Sequence, residues 1–253
     1  MDRRQAVKVL LLGGTTESRA LAELLEADRR IVVVTSLAGR VRRPTVPGGA
    51  WRLGGFGGAE GLAEWIEGNG IDVVVDATHP FASVISANAR AAATATDVPL
   101  VQLVRPPWQP DTADDWVAAA SMTDAAVIVE STAQRAFLAI GRQSVDAFAH
   151  IERTWFLVRS IDPPEVPMPP NHRSLLARGP FDVDDEISLL RDHRIDVVVS
   201  KNSGGAMTEA KIIAARALGV TVVMIERPQL PLGDVATESP EAVVDWLRST
   251  DST

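Results

Sequence analysis

The chain has 253 residues, 46% of them hydrophobic, and a formal net charge of −8. That length suits two domains of about 100–150 residues, and the acidic balance argues against a nucleic-acid or anionic-membrane partner, since both require clustered cations. Cysteine and tyrosine are both absent, which removes disulfides and thiolate chemistry, and with them the Tyr–Lys acid pair of short-chain reductases.

In chain order, Val7–Leu12 reads as a strand, followed by a glycine turn, a helix over Glu17–Glu26 and a strand over Ile31–Thr35. Beyond the Gly-rich stretch Gly54–Gly58, the pattern predicts a helix near Glu60–Glu67, a strand over Ile71–Asp76, a helix near Ala82–Thr94 and a strand over Pro99–Val104. Nearly continuous Val/Ile/Leu runs alternating with helices imply a parallel sheet covered on both faces.

The second half repeats this plan. Ile71–Val75 returns as Ile195–Val199, and Val98–Pro106 returns as Val220–Pro228, both closing on Arg-Pro. Trp116-Val117-Ala118 before a helix from Met122 matches Val235-Ala236-Thr237 before a helix from Pro240. The expected fold class is α/β, with two Rossmann-like doubly wound parallel-sheet domains related by an internal repeat. Pro106, Pro107 and Pro110 break regular structure within Arg105–Thr123, which places the domains at residues 1–112 and 113–253. The short strands after each Arg-Pro pair can extend their own sheet or be exchanged between sheets, and the sequence leaves both open. Pro163–Pro170, between strands at Trp155–Ile161 and Ser174–Arg178, is expected to be a lid or an insertion.

Gly13-Gly14-Thr15-Thr16-Glu17 stands between the first strand and a helix N-terminus, where backbone can approach a pyrophosphate and the helix dipole favours an anion. The pattern departs from G-x-G-x-x-G, with Ser18 where a third glycine would be, and the same residues suit a tight turn capped by Thr15 or Thr16. An NAD site usually carries Asp or Glu at the end of the second strand. Here Thr35-Ser36-Leu37-Ala38-Gly39-Arg40 offers a hydroxyl and a guanidinium, which suit a 2′-phosphate and favour NADPH. Arg42 and Arg43 add positive potential or form a solvated loop.

Asp76-Ala77-Thr78-His79-Pro80-Phe81 follows another strand, so His79 is expected near a nicotinamide, although Thr78 can equally cap a helix with His79 in solvent. The equivalent loop of the second half is Ser200-Lys201-Asn202-Ser203-Gly204-Gly205. Arg142, Arg159, Arg178 and Arg227 also stand at strand ends. If both halves present these edges to one cleft, the cations form a receptor for a carboxylate-rich substrate. Each alone also reads as an ordinary surface arginine. The four histidines are scattered, with no metal-ligand spacing, and no metal is expected.

Taken in order, Leu11–Glu17, Thr35–Arg40, Gly54–Gly58, Asp76–Ala82, Arg105-Pro106-Pro107-Trp108, Gly141-Arg142, Arg178-Gly179-Pro180 and Ser200–Gly205 resemble the precorrin-6A reductase family of cobalamin biosynthesis. The resemblance runs from about Val7 to Pro231 and implies NADPH-dependent reduction of the precorrin-6A macrocycle to precorrin-6B. It implies a cofactor site at Gly13, Gly14, Thr15, Thr16, Ser36, Arg40 and the Thr78–Phe81 loop with Thr78, His79 and Phe81, and Glu17, Gly55 and Phe56 are expected to join it. Substrate contacts are expected at Arg142, Arg159, Arg178, Lys201, Asn202, Ser203, Gly204 and Arg227, which would anchor the acetate and propionate arms. Hydride would pass to one ring carbon and a proton to its neighbour, from His79, Lys201, a bound water or a substrate carboxyl.

The implied partners are the tetrapyrrole and, for product hand-over, the next enzyme of the pathway. No run of about 18 apolar residues occurs, and Met1-Asp2-Arg3-Arg4 leads straight into a strand, so the expected location is the cytoplasm. Two other readings compete. A reductase of a small imine or keto acid shares the Asp-x-Thr-x-Pro loop, but it predicts a differently built second domain. A two-lobed binding protein for an anionic solute would need an export signal, which is not seen.

Overall fold

In the computed structural model, which describes residues 6–39 and 49–250, the apolar run Val7–Leu12 forms strand β1. The first half continues with α1 (Thr16–Glu26), β2 (Ile31–Leu37), β3 (Ala50–Leu53), α2 (Ala59–Asn69), β4 (Val73–Asp76), α3 (Ser83–Thr96) and β5 (Leu100–Leu103). Then follow β6 (Trp116–Ala119), α4 (Met122–Thr132), β7 (Arg135–Ala139), a short 3₁₀ turn at Val145–Phe148, β8 (Trp155–Ser160) and β9 (His172–Leu176). The chain ends with α5 (Val183–Asp192), β10 (Val197–Lys201), α6 (Ala210–Leu218), β11 (Thr221–Ile225), β12 (Val235–Thr237) and α7 (Pro240–Thr250). Strand β3 has no counterpart among the predicted elements. The strand expected over Ser174–Arg178 lies two residues earlier, as β9.

The strands form two six-stranded sheets, ordered β12-β5-β4-β1-β2-β3 and β6-β11-β10-β7-β8-β9. Every strand pairing in them is parallel. Helices cover both faces, so consecutive residues of central strands are buried: Val9, Leu10 and Leu11 are fully inaccessible and Leu12 nearly so. One layer packs Leu21 and Leu25 of α1 with Val243, Val244 and Leu247 of α7 over Val9 and Leu11. The opposite layer packs Leu62 and Ile66 of α2 with Ala89, Ala92 and Ala93 of α3 over Leu10 and Leu12.

Strands β6 and β12 each leave the sheet that precedes them in the chain. β6 follows β5 but pairs with β11, and β12 follows β11 but pairs with β5. The chain accordingly divides into one unit of Met1–Pro106 with Pro228–Thr253 and a second of Pro107–Arg227. This differs from a split at 112/113 with all later residues in the second domain. The reason is burial: the apolar face of α7 is covered by the first sheet's α1 layer.

Aspartates pin both exchanged strands. Asp234 accepts from Leu100 N–H at 2.8 Å and from Arg90 at 2.9 Å. Asp114, in front of β6, takes a two-pronged bond from Arg216 at 2.9 Å on each oxygen. The Arg216 guanidinium holds Asp114 below the usual carboxylate range, and the Leu100 amide, followed by Arg90, does so for Asp234. A depressed folded-state value means that the stabilisation is present above the unfolded value, about 3.9, and is lost as pH falls through the folded one. The melting temperature should therefore fall below about pH 4, and the Asp114→Asn and Asp234→Asn variants should lose less of theirs over the same window. Identical slopes in wild type and both variants would remove these carboxylates from that role.

The Pro-rich segment between Ser160 and His172 is the crossover that parallel pairing of β8 with β9 demands, rather than an insertion. Its Glu165 carboxylate lies 3.5 Å from Arg142. No described helix is long and apolar enough to cross a membrane.

Candidate functional site

In the first sheet the strand order reverses between β1 and β4, and in the second between β7 and β10. Loops leaving the carboxyl ends at such a point diverge and open a crevice, the usual ligand position in doubly wound sheets. The first unit places Gly13–Thr15 and Ala77–Phe81 there. The second places the segment after β7, containing Arg142 and Ser144, and the segment after Lys201.

The first turn is held by its own hydrogen bonds. Gly13 N–H donates to Ser36 O at 2.9 Å, and Gly14 and Thr15 N–H both donate to Ser18 Oγ at 3.0 Å. Thr15 Oγ1 accepts from Ser18 N–H at 3.0 Å and donates to Ala77 O at 2.9 Å, tying the turn to the loop after β4. Thr15 and Ser18 thus form a capping box at the start of α1, with Ser18 where a third glycine was sought. The glycine amides are used internally. The Thr16 and Glu17 N–H groups have no acceptor among the described residues, so α1 offers an anion those two donors and its dipole. Gly14 has φ +121° and open space where a Cβ would project, leaving room for close approach of a ligand. Both features fit a nucleotide pyrophosphate. The Glu17 carboxylate is neutralised by Arg105 at 2.8 Å.

After β4, Asp76 Oδ1 accepts from Thr78 N–H at 3.1 Å and from its hydroxyl at 2.6 Å. His79 Nδ1 accepts from Phe81 N–H at 3.2 Å. In the neutral ring, an accepting Nδ1 places the proton on Nε2.

At the end of β2, Ser36 is 6% exposed and stands in register with Arg52 of β3. Arg52 Nη1 donates to Ser36 Oγ at 2.9 Å and to Gly54 O at 3.1 Å, and Nη2 donates to Gly55 O at 3.0 Å. Its guanidinium lies 3.8 Å over the Phe56 ring, which packs edge-on against Trp65. Gly55 and Phe56 therefore act on the site as the support of Arg52. Gly61 closes this support from below, because a Cβ there would stand 1.9 Å from Phe56 O. Arg40, with Arg42 and Arg43, lies outside the described residues.

The second unit sorts its cations. Lys201 ends β10 with Nζ 3.4 Å from Ser144 Oγ, so it meets the turn that carries Arg142. Arg178 is exposed, two residues beyond β9. Arg159 is not at an open edge: it is 7% exposed, bound through both nitrogens to the equally buried Glu186, and flanked by the rings of Phe181 and Phe137 at 3.8 and 4.7 Å. Asn202 is likewise engaged, accepting from Trp108 N–H at 2.8 Å and donating to Trp108 O at 3.2 Å. Arg227 donates to Asn202 O at 2.8 Å and to Ser203 O at 3.0 Å. These three arrangements brace the interior and the loop, with Ser203 and Gly204 (φ +68°) shaping its turn. Sequence reading assigns no role to Ser18 or Arg105, although both stand in motifs it quotes, and it does not name Arg52 or Ser144 at all. Among the described residues, no group of three His, Asp or Glu side chains is placed to hold a metal ion.

Parallel order, switch-point loops and a capped glycine turn define a two-unit, Rossmann-like α/β protein. Residues 8–248 match the family model described as precorrin-6x reductase CbiJ/CobK. The chain belongs to that family of reductases. It is 52% identical to the precorrin-6A reductase of Rhodococcus erythropolis over 240 residues, covering 95% of this chain and 97% of the relative. It is 47% identical to the precorrin-6A reductase of Mycobacterium tuberculosis, covering 95% and 97%. A solved structure described as CobK precorrin-6A reductase superimposes with a TM-score of 0.88 at 41% identity, covering 96% of each chain.

Proposed function

We infer that the chain reduces precorrin-6A in cobalamin biosynthesis, yielding precorrin-6B with NADPH as the hydride donor. The observation that carries this reading is the Gly13–Glu17 turn at the first unit's switch point, in a chain that matches the reductase family along residues 8–248. When held there, reduced nicotinamide would supply the hydride for one carbon of a ring double bond, with a proton completing the reduction at the adjacent carbon.

The residues of this chain do the rest. Thr16 and Glu17 amides hold the pyrophosphate, Gly13, Gly14 and Thr15 keep the turn open, and Ser36 with Arg40 meets the 2′-phosphate. Thr78 and Phe81 shape the loop that sets His79, whose Nε2–H donates a hydrogen bond beside the nicotinamide. Lys201, Arg142 and Arg178 take the substrate's carboxylates, each charged hydrogen bond also fixing ring orientation. Arg159, Asn202 and Arg227 support this set from within. The cytoplasm is the proposed location, and hand-over of product to the following enzyme is consistent with a product that keeps its anionic arms.

Anaerobic turnover with synthesised precorrin-6A should show NADPH loss at the nicotinamide band together with a change in the tetrapyrrole spectrum. In the same assay Lys201→Ala should raise KM for the tetrapyrrole by about tenfold or more, as for a lost charged hydrogen bond, with NADPH affinity unchanged. NADPH consumption with no spectral change in the macrocycle would overturn the substrate reading. An unaltered kinetic profile would return Lys201 to a surface role.

A further inference from the structure

We propose that Arg52 is the residue of the described site that distinguishes NADPH from NADH, by gripping the 2′-phosphate together with Ser36. This rests on the nucleotide reading of the first unit. Strand β3 sets Arg52 in register with Ser36 at the carboxyl end of β2, where the adenosine ribose is met in Rossmann-type sheets.

The charge of Arg52 is unmatched. Its three acceptors, Ser36 Oγ, Gly54 O and Gly55 O, are all neutral, and no carboxylate lies within ion-pair distance of it among the described residues. Two Nη1 protons and one Nη2 proton are used, which leaves the Nε–H and the second Nη2–H without acceptors among those residues. Burial alone lowers its pKa, so the cation is partly withdrawn from water without a counter-charge. Partly exposed, the cation keeps some water, and an anion arriving there would meet a charge with no carboxylate competing for it among the described residues.

The fork is also fixed in advance. Phe56 lies 3.8 Å beneath the guanidinium, Trp65 holds Phe56, and Gly61 lets α2 close against the Phe56 carbonyl. A planar fork held in this way loses little freedom on gripping a phosphate. Because Ser36 Oγ accepts from Arg52, its own O–H remains to donate to the same phosphate oxygens. A 2′-hydroxyl carries no charge for this pair to meet, so NADH gains far less from it.

The test is affinity, not turnover. NADPH, NADH, adenosine 2′,5′-bisphosphate and ADP are titrated into the full chain by calorimetry, with wild type, R52Q and R52K. R52Q should weaken NADPH and the bisphosphate by about 10- to 100-fold, and NADH and ADP by less than about threefold. R52K should fall between, since a point charge replaces a fork. Circular dichroism checks folding, and if R52Q does not fold, the NADPH-to-NADH ratio of R52K decides. Equal weakening of phosphorylated and unphosphorylated ligands, or no weakening, overturns the assignment of Arg52. A wild type that binds NADH as tightly as NADPH, or binds neither, overturns the cofactor reading itself, and the inference with it.

Discussion

Glu186→Ala should destabilise the second unit by about 3–5 kcal/mol, the usual consequence of leaving a buried charge without its partner. Arg159 and Glu186 are 7% and 4% exposed, and the guanidinium is bonded to both carboxylate oxygens. Phe181 and Phe137 lie close against it, so the lost carboxylate would leave the cation beside apolar surface. Urea unfolding followed by circular dichroism reads the effect as a lower midpoint. The double variant Arg159→Met with Glu186→Leu should recover most of the loss, because apolar residues of similar volume often replace a buried ion pair at little or no cost. A single variant within about 1 kcal/mol of wild type would place the pair at the surface. The double variant also separates two roles for Arg159. It should bind the tetrapyrrole as wild type does, and loss of binding in a folded double variant would return Arg159 to the substrate contacts.

The same pair shows where sequence reading reaches its limit. A single arginine near the end of an apolar strand looks alike whether it meets a ligand or a carboxylate, and Glu186 lies 27 residues further on, in α5. Asn202 and Trp108, 94 residues apart, pose the same difficulty. The glycine turn and the Asp76–Phe81 loop were legible because their chemistry is contiguous with a strand and a helix start. The two-fold plan was legible because Ile71–Val75 and Ile195–Val199 are the same five residues, Ile-Asp-Val-Val-Val. That symmetry also hid the strand exchange: both Arg-Pro exits read alike, so the pattern favours neither sheet, and the decision is made by pairing of β12 with β5 and of β6 with β11. Strand β3 was missed because Ala50–Leu53 is a four-residue edge strand with Arg52 inside it, too short for a period-two pattern. With β3 unread, Arg52 could not be set opposite Ser36.

Gly14→Val should raise the Kd for NADPH by roughly 100-fold or more, as expected when about two charged hydrogen bonds at the pyrophosphate are lost. Two effects add. At φ +121° a β-branched residue is strongly disfavoured, which strains the turn by about 1–3 kcal/mol. The new side chain also fills the open space beside Gly14, in the turn that leads to the Thr16 and Glu17 amides that are to hold the phosphates. Strain alone would lower stability without a specific effect on the nucleotide, and Gly70→Ala supplies the comparison. Gly70 is the left-handed cap of α2 at φ +59°, and it belongs to neither switch-point loop. It should lower the melting temperature while leaving NADPH affinity intact. Quenching of the six tryptophans, or energy transfer from them to the nicotinamide, reports binding of both variants against wild type. If Gly14→Val loses stability but binds NADPH as wild type does, the turn is a helix cap and nothing more, and the hydride donor must be held elsewhere in the chain.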